Sequence, residues 1–377
     1  MIYQAIIAFL LSLFTLNLAL NLLSLRFPRG KRSLAFQPFV SVIIPARDEQ
    51  KNIGRCLESV LCQDYSNFEV IVLDDGSKDA TPEIVAGIAA QDSRLRLISG
   101  KPLPPGWAGK PHACYQAAQA AKGDWLLFVD ADTTATRDML CYVIAEAARL
   151  RATLLSGFPR QITPFGQKTA IPFMYFFILS WVPLWWMVRR RQPTTTFAIG
   201  QFLLFDAQFY RDMGGHAVVK SRIIEDVWLG VEVVRRGGRQ VAIDLTPVFA
   251  TRMYDTMGGM WEGLVKWTYS AASICFPALV GLVVLAGVAY LGPFFSLWQA
   301  IVGARQFLPL VIIQVATIFF MRYLADSRFG ESVVATLLHP LGIVIWIASA
   351  VWGMVRALSG AGVSWKKRAY DRESSIK

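Results

Sequence analysis

Histidine and cysteine are scarce in this 377-residue chain, and neither residue is spaced for a metal centre or a disulfide framework. The three histidines are scattered, so they do not suggest a zinc site. The five cysteines, Cys56, Cys62, Cys114, Cys141 and Cys275, show no metal-ligand spacing. We therefore interpret them as reduced residues of a core or of membrane segments.

A glycine-rich dinucleotide fingerprint is also absent. A nicotinamide-binding fold would place Gly-x-Gly-x-x-Gly directly after its first strand. Here Pro45-Ala-Arg47 follows the first predicted strand, which argues against a nicotinamide oxidoreductase. Internal repeats, low-complexity stretches and nucleic-acid-binding modules are missing as well, so we expect no nucleic-acid partner despite the net charge of +11.

Charged residues make up only 17% of the chain and hydrophobic residues 54%, with a mean hydropathy of +0.41, which is too apolar for an ordinary soluble protein. The apolar residues concentrate in four segments, at 2–25, 273–302, 306–321 and 333–355. About 20 consecutive apolar residues can span a bilayer as a helix. We therefore predict a multi-pass membrane protein, with a transmembrane helix at 1–25, transmembrane segments within 273–357 and a basic tail at 358–377.

Basic residues next to the apolar segments predict the orientation in the membrane. The first segment lacks the basic start and the cleavage site of a secretory signal. It is followed instead by a basic cluster at 26–32, and such residues stay in the cytoplasm. We therefore place the amino terminus outside, the globular domain in the cytoplasm and the protein in the cell (inner) membrane. Further basic clusters at 189–191 and 366–368 would meet anionic lipid.

Two apolar stretches do not fit simple crossings. Three carboxyl-terminal spans would leave the basic tail outside, so we expect one segment to be re-entrant, and the stretch with His339-Pro340 is the candidate. Residues 171–188 are apolar and aromatic, but Pro172 and Pro183 disfavour an uninterrupted helix. We predict an interfacial helix there, with its tryptophans at the headgroup level.

Strands and helices alternate between residues 38 and 130. The predicted strands are 39–44, 68–73, 95–99 and 125–129, and the predicted helices are 51–62, a helix starting at Thr81, and 110–122. Such β-α-β alternation argues for an α/β fold, with a mostly parallel sheet covered by helices. We expect this sheet to belong to a domain at 38–270.

Acidic side chains follow three of the predicted strands. Glu49 follows the first strand, Asp74 and Asp75 end the second, and Asp130 and Asp132 follow the fourth. Alternate residues on an extended chain point the same way, so the last two carboxylates can face one point. Open α/β sheets bind ligands at the carboxyl ends of their strands. Two hard oxygen ligands there suit Mg²⁺ or Mn²⁺ carrying a diphosphate.

Three segments together carry a family resemblance. They read Val42-Ile-Ile-Pro-Ala-Arg-Asp-Glu49, Val72-Leu-Asp-Asp-Gly-Ser-Lys-Asp79 and Phe128-Val-Asp-Ala-Asp132. In this order and spacing they resemble the early motifs of family 2 glycosyltransferases, over about residues 38–270. The resemblance implies a GT-A fold, a nucleotide-diphosphate sugar donor and inversion at the anomeric carbon. Gly106-Trp-Ala-Gly-Lys110 also resembles a segment of membrane glycosyltransferases that modify hopanoid-like or carotenoid lipids.

The resemblance implies roles in donor binding for individual residues. Asp74 or Asp75 would hold the nucleotide base, and the loop from Pro45 to Glu49 would frame the base and the ribose. Asp130 would face the ribose or the metal, and Asp132 would ligate the metal. That metal would neutralise the diphosphate, which is the leaving group.

Lys110 is the candidate cation of the donor site. It lies near a predicted helix start, where its ammonium and free backbone N–H groups could both meet phosphate. A solvated surface lysine is the alternative interpretation.

The acceptor side is predicted from later segments. Gly200 and Gln201 begin a segment that resembles the acceptor-facing floor in this family. Glu225 and Asp226 precede a predicted helix, and in the family the aspartate of this Glu-Asp pair is the catalytic base. Asp226 would then take a proton from the acceptor hydroxyl. A helix cap is the alternative.

Processive polysaccharide synthases carry a Gln/Arg-x-x-Arg-Trp motif at the next position. The nearest match is Gly263-Leu-Val-Lys-Trp267, which departs from the motif at Gly263 and Lys266 and so disfavours a processive synthase. Lys266 and Trp267 stay candidates for contact with diphosphate or acceptor. The preceding Arg252-Met-Tyr254 resembles a stretch of the lipid-modifying members and has no assigned role.

The sequence therefore predicts a metal-dependent, inverting glycosyltransferase acting on a membrane lipid such as a carotenoid or a hopanoid. An aromatic interfacial helix and the adjoining spans would let such an acceptor reach a cytoplasmic site. A polyprenyl-phosphate glycosyltransferase or a polysaccharide synthase is the alternative within the class. A non-catalytic nucleotide- or lipid-binding membrane protein is the alternative from another class.

Overall fold

The computed structural model describes residues 2–25, 37–190, 192–303, 305–365 and 368–370. It divides into two compact units. The sheet unit comprises Leu25–Ile162 and Trp186–Met253, and the helical unit comprises Met1–Ser24, Thr163–Trp185 and Tyr254–Arg372. The basic clusters predicted at 26–32 and at 366–367, Arg191, and the tail beyond residue 370 lie outside the described residues.

The strands are numbered along the whole chain. They are β1 Val40–Ala46, β2 Phe68–Asp74, β3 Leu95–Ser99, β4 Trp125–Val129, β5 Thr133–Ala135, β6 Leu154–Phe158, β7 Arg160–Gln161, β8 Phe202–Asp206, β9 Gln240–Asp244, β10 Phe249–Thr251, β11 Val363–Trp365 and β12 Arg368–Tyr370. Seven of them form one sheet in the order β3-β2-β1-β4-β8-β6-β9. In that sheet, β8 runs antiparallel to both of its neighbours, β4 and β6, and every other pairing is parallel.

The α-helices are numbered in the same way. They are α1 Ile2–Ser24, α2 Ile53–Leu61, α3 Thr81–Ala89, α4 Gly109–Ala120, α5 Met139–Leu150, α6 Ile171–Trp181, α7 Leu184–Arg190, α8 Ala207–Asp212, α9 Glu225–Arg235, α10 Met257–Tyr290, α11 Gly292–Val302, α12 Leu308–Arg328, α13 Val333–Leu337 and α14 His339–Ser359. Short 3₁₀ turns occur at 165–169, 193–195, 215–219 and 305–307.

The first four strands alternate with α2, α3 and α4, which confirms the predicted β-α-β order. Both faces of this part of the sheet are covered. Ile43 and Ile71 are buried against α4 residues such as Ala117. Their neighbours Val42 and Val70 are buried in the second core, on the opposite face. Burial on both faces explains why these strands are continuous apolar runs.

The first strand is longer than predicted. Pro45 lies inside β1, in register with Leu73 of β2, rather than in the following loop. The pairing of β1 with β4 ends at Ile43 and Phe128, so one side of β1 is unpaired beyond that point. A proline, which lacks an N–H group, is tolerated where a ladder bond is not required.

The helical unit contains the predicted membrane segments. Four helical segments are long and apolar enough to cross a membrane, namely Ile2–Ser24, Met257–Val302, Arg305–Arg328 and His339–Ser359. Within α10, Cys275 has non-helical backbone angles and Pro277 follows it, which kinks the helix. His339 and Pro340 begin α14, with the proline in the first turn, and α13 ends at Leu337 just before them, so the apolar segment 333–355 forms two helices. The re-entrant segment expected here stays a prediction.

Residues 171–188 form two helices rather than one. α6 ends at Trp181 and α7 begins at Leu184, because Pro183 cannot continue the helical ladder. Two asparagines of α1 pair the groups freed at this break. Asn21 Nδ2 donates to the carbonyls of Leu179 and Val182, at 2.7 Å each, and Asn21 Oδ1 accepts from the Trp185 N–H at 3.0 Å.

We expect Asn21→Leu to lower the free energy of unfolding by about 2 kcal/mol, because it removes three hydrogen bonds at this break, two donated to carbonyls and one accepted from an N–H group. Thermal unfolding of the detergent-solubilised protein would measure the change. Ser12→Ala is the matched control, since Ser12 is exposed on the same helix and its hydroxyl donates to the Ala8 carbonyl one turn earlier. Equal melting temperatures for Asn21→Leu and Ser12→Ala would contradict this prediction.

Candidate active site

The site begins where β4 ends. Asp130 follows Val129 directly, and the next two residues form a turn. Thr133 Oγ1 closes that turn by donating to the Asp130 carbonyl at 2.6 Å. Asp130 and Asp132 therefore lie in a closed turn and not on an extended chain, so the side-chain alternation assumed from the sequence does not apply to them.

Lys110, in the first turn of α4, connects residues that are distant in sequence. Its Nζ lies 2.6 Å from Asp130 Oδ1 and 3.3 Å from Glu225 Oε1, and it donates to the Gly200 carbonyl at 3.3 Å. The Glu225 side chain is only 7% exposed, whereas those of Asp130 and Lys110 are 27% and 36% exposed. Lys110 thus joins the strand-end acid to the predicted Glu-Asp pair.

The charge on Lys110 follows from this environment. Burial lowers the pKa of its ammonium, but the carboxylates of Asp130 and Glu225 raise that pKa further, so the net value is well above the usual one. Lys110 is therefore charged at neutral pH and compensates acids that would otherwise repel each other. It is not a solvated surface lysine.

Asp226 is half-buried in the first turn of α9 and held by two backbone groups. Its Oδ2 accepts the Gly200 N–H at 2.7 Å, and its Oδ1 accepts the Val227 N–H at 2.9 Å. The residue at the N-cap of α9 is Ile224, which makes no side-chain cap. Burial, together with the charge of Glu225, raises the pKa of the Asp226 carboxyl to about 6.

Asp132 contacts a segment that the sequence did not connect with it. β5 pairs with β10, so Thr133 lies in register with Thr251. Thr251 Oγ1 donates to Asp132 Oδ1 at 3.4 Å, and the Arg252 N–H donates to the Asp132 carbonyl at 3.1 Å. Arg252 is therefore next to the acidic turn, which gives a location to a residue that had no predicted role.

The predicted nucleotide loop is ordered by short-range bonds. The Asp75 N–H donates to the Ala46 carbonyl at 2.8 Å, and an Arg47 Nη donates to the Asp75 carbonyl at 2.9 Å. Asp48 has a positive φ of 53°, and its N–H donates to Ser77 Oγ at 3.0 Å. The two loops after β1 and β2 therefore hold each other at one edge of the sheet.

Two further members of this edge are also bonded. The Ser77 N–H donates to the Asp74 carboxylate at 3.2 Å, which keeps that side chain within its own turn. Glu49 is buried; its N–H donates to Thr81 Oγ1 at 2.8 Å, and its carboxylate accepts from Asn52 Nδ2 at 2.8 Å.

Two buried thiols are influenced by these acids. Burial raises the pKa of the Cys114 thiol, and the charges of Glu225, Asp130 and Asp75 raise it further. Burial likewise raises the pKa of Cys56 to about 12, with contributions from Asp132, Glu49 and Asp130. Asp130 thus affects both thiols, although Cys56 and Cys114 lie in the cores on opposite faces of the sheet.

The remaining predicted residues fall into two groups. Gly200 lies between Asp226 and Lys110, and Gln201 beside it is buried. Lys266 and Trp267 are half-buried on α10, in the helical unit, and their predicted contacts with diphosphate or acceptor stay a prediction.

The departure from the synthase motif at Gly263 has a steric reason. A Cβ atom at this position would collide with the ring of Tyr254. With Tyr254 in this position, the glutamine or arginine of the processive motif would clash at residue 263.

Comparisons with known proteins bear on the family and the fold. Residues 41–214 match the family model for glycosyl transferase family 2. A 4,4'-diaponeurosporenoate glycosyltransferase from Staphylococcus aureus (strain USA300) is 27% identical over 349 residues, which cover 88% of each chain. The mannosyltransferase PcManGT from Pyrobaculum calidifontis, solved with GDP-Man and Mn²⁺, matches 94% of this chain and 99% of its own, with a TM-score of 0.55 and 18% identity.

These likenesses define the class of protein. The chain contains a glycosyltransferase family 2 domain, its sheet has the GT-A fold, and the protein is a glycosyltransferase. The predicted α/β fold class and the predicted family resemblance are confirmed.

We expect Gly200→Ala to reduce glycosyl transfer on the order of 10²-fold, because the new Cβ would lie 2.9 Å from Asp226 Oδ2 and displace that carboxylate. Initial rates beside melting temperatures would separate this effect from unfolding. Gly87→Ala on α3 is the control, since nothing lies within 4 Å of its Cβ position. Equal rates for both variants would argue against a role for the Gly200–Asp226 contact.

Proposed function

We propose that this glycosyltransferase moves a sugar, with inversion, from a nucleotide-diphosphate donor to a membrane lipid. The observation that carries the proposal is the contact of Asp226 with Gly200, next to the Lys110 bridge between Glu225 and Asp130. This contact holds the Asp226 carboxylate, whose pKa is raised, next to the strand ends where the donor would bind. The four candidate spans give a lipid acceptor a route to the protein.

The donor would lie along the strand ends. The Pro45–Glu49 loop would frame the base and the ribose, and Asp74 or Asp75 would bind the base. Asp130 would face the ribose. The Lys110 ammonium, which pairs with Asp130, would also contact the diphosphate. Support comes from the bonds between the two loops and from the short distance of the ammonium to the strand-end acid.

Asp132 and Asp130 would hold Mg²⁺ or Mn²⁺. Among the described residues, no three His, Cys, Asp or Glu side chains group as a metal site. Two carboxylates nevertheless suit an ion that takes its other ligands from phosphate and water. The bound ion would neutralise the diphosphate as it leaves.

Asp226 would act as the general base. Its carboxylate would take the proton of the acceptor hydroxyl while that oxygen forms a bond to the anomeric carbon, and the bond from that carbon to the diphosphate would break. The charge of Glu225, which pairs with Lys110, would keep the pKa of Asp226 high. The Gly200 N–H would hold the base in position.

The acceptor would be an apolar lipid such as a carotenoid or a hopanoid. The relative from Staphylococcus aureus is named for diaponeurosporenoate, and this supports a carotenoid-like acceptor with a hydroxyl or a carboxyl group. The catalytic domain would be cytoplasmic and the protein would lie in the cell membrane, as the basic residues at 26–32 predict.

Donor and transfer assays with purified, detergent-solubilised protein test this function. A panel of nucleotide sugars would be offered with Mn²⁺ and a total lipid extract. We expect a metal-dependent glycolipid from the wild type and none from Asp132→Ala. Asp212→Asn removes an exposed acid of the same unit and should leave transfer unchanged. Donor binding without any product would favour a non-catalytic binder, and the absence of donor binding would refute the proposal.

The pH dependence of transfer tests the base. Because burial and Glu225 raise the pKa of Asp226 to about 6, kcat/KM should fall about tenfold per pH unit below 6 and level off above it. Asp226→Asn should remove this limb and lower kcat/KM by about 10²-fold or more on a neutral hydroxyl acceptor. Near-wild-type turnover of Asp226→Asn on such a lipid would rule out the base. A mild effect confined to an anionic acceptor would indicate polyprenyl phosphate or a carboxylate.

A further inference from the structure

Tyr210 and His216 form a buried polar pair in the sheet unit, and the proposed reaction gives neither of them a role. Tyr210 lies on α8, and His216 lies in the 3₁₀ turn Gly215–Val219. The Tyr210 hydroxyl oxygen accepts the His216 backbone N–H at 3.1 Å and lies 2.6 Å from His216 Nδ1. One phenolic oxygen is thus hydrogen-bonded to both the main chain and the side chain of His216. We call these two residues the Tyr210–His216 pair.

The surroundings of the pair leave it little freedom. Both residues are almost fully buried. The ring of Phe128, two residues before Asp130 on the chain, lies 5.3 Å from the Tyr210 ring and 4.8 Å from the His216 ring. Gly215 has a positive φ of 55°, and a Cβ atom there would collide with the Tyr210 ring. The main chain of the turn therefore lies directly against the pair, next to the strand that ends in the candidate site.

The turn that contains His216 lies between two helices of the candidate active site. It contacts both α4 and α9, and side chains from all three elements share one apolar core. The Ala108 N–H, directly before α4, donates to the carbonyl of Lys220, directly after the turn, at 2.6 Å. Lys110 lies in the first turn of α4, and Glu225 and Asp226 lie in the first turn of α9. The turn is therefore a spacer between the cation and the two acids.

The pair is uncharged at neutral pH. Burial and, after it, the charge of Lys110 lower the pKa of the His216 imidazole to about 3. Burial raises the pKa of the Tyr210 hydroxyl well above its usual value. A neutral imidazole and a protonated phenol each offer a donor and an acceptor, so the bond between them is available throughout the working pH range. Because the pair adds no charge to the site, it can influence the site only through geometry.

We propose that the Tyr210–His216 pair positions Lys110 relative to Glu225 and Asp226. By fixing the turn, the pair sets the separation of α4 and α9, across which the Lys110 ammonium reaches Glu225 Oε1 at 3.3 Å. Tyr210 and His216 are positioning residues, because they act through Lys110 and not on the reacting atoms. The inference rests on the proposed function in one respect, since Asp226 as the base supplies its main readout.

The pKa of Asp226 reports the position of Lys110. Burial and the charge of Glu225 raise this pKa, whereas the charge of Lys110 and the backbone N–H groups of Val227 and Gly200 lower it. If the turn loosens and Lys110 moves away, the charge of Glu225 loses its compensation and the pKa of Asp226 rises. A general base must be deprotonated to act, so the acid limb of kcat/KM would move to higher pH.

Tyr210→Phe tests the positioning role, because it removes one oxygen atom and with it both hydrogen bonds of the pair. We expect its acid limb to move up by roughly 0.5 to 1 pH unit. We also expect kcat/KM at neutral pH to fall on the order of tenfold. His216→Asn keeps a donor and an acceptor for the phenol, so its limb should stay close to that of the wild type. His216→Leu should shift the limb as Tyr210→Phe does.

Tyr142→Phe is the matched control. The Tyr142 hydroxyl, on α5 of the same unit, is also buried, but it has no hydrogen-bond partner within the part of the chain that the structure describes. This variant should keep the wild-type limb. A lower melting temperature of Tyr210→Phe with an unmoved limb would indicate a purely structural role and overturn the proposal, as would an equal shift in Tyr142→Phe. If His216→Asn does not fold, the comparison of Tyr210→Phe with Tyr142→Phe decides.

Failure of the proposed base is distinguished by the wild type and by Asp226→Asn. If the wild type has no acid limb, or if Asp226→Asn retains it, the base is wrong and hydrogen exchange of the full-length protein tests the pair instead. Tyr210→Phe should then speed exchange in the first two turns of both α4 and α9, whereas Tyr142→Phe should not. Unchanged exchange in Tyr210→Phe would overturn the positioning role.

Discussion

The arrangement of the candidate active site depends on one cation among acids. The Lys110 ammonium contacts Asp130 at the end of β4 and Glu225 at the start of α9, and it also reaches the Gly200 carbonyl. Without this charge, the carboxylates of Asp130 and Glu225 would repel each other. Glu225 and Asp226 therefore differ in their partners. Glu225 has Lys110 as its partner, whereas Asp226 is held by backbone N–H groups and keeps a raised pKa.

The helical unit differs because it buries polar groups among apolar helices. Asn17 and Asn21 pair the backbone groups released where α6 ends and α7 begins. Arg322 and Asp326 form an ion pair, and Thr336 donates a second hydrogen bond to the Asp326 carboxylate. In the first case every group involved is satisfied, and the asparagines therefore serve structure. In the second case the two outer nitrogens of the guanidinium are buried and have no hydrogen-bond partner among the described residues.

Much of the fold could be predicted from local patterns. The strand from Trp125 to Val129 and the helix beginning at Thr81 follow from apolar runs, prolines and turn residues, and their bounds in the structure match. Asp130 and Asp132 could be singled out because they end a buried strand. Their relative geometry could not, since a turn closed by Thr133 replaces the extended chain that the pattern suggested. Similarly, β1 continues through Pro45, and the proline is tolerated there because β4 pairs with only the first part of β1.

The sequence by itself determined the class of fold, the order of strands and helices, and the residue types available for chemistry, because these follow from hydrophobic periodicity and short motifs. Only the tertiary structure decided which of those residues meet. Gly200 lies against Asp226, Thr251 against Asp132, and Lys110 against Glu225, although each pair is separated by tens to over one hundred positions. Such contacts depend on strand register and on the packing of α4 and α9, and no local pattern encodes them. The burial that raises the pKa of Asp226 likewise depends on tertiary structure, because it exists only once these elements are packed together.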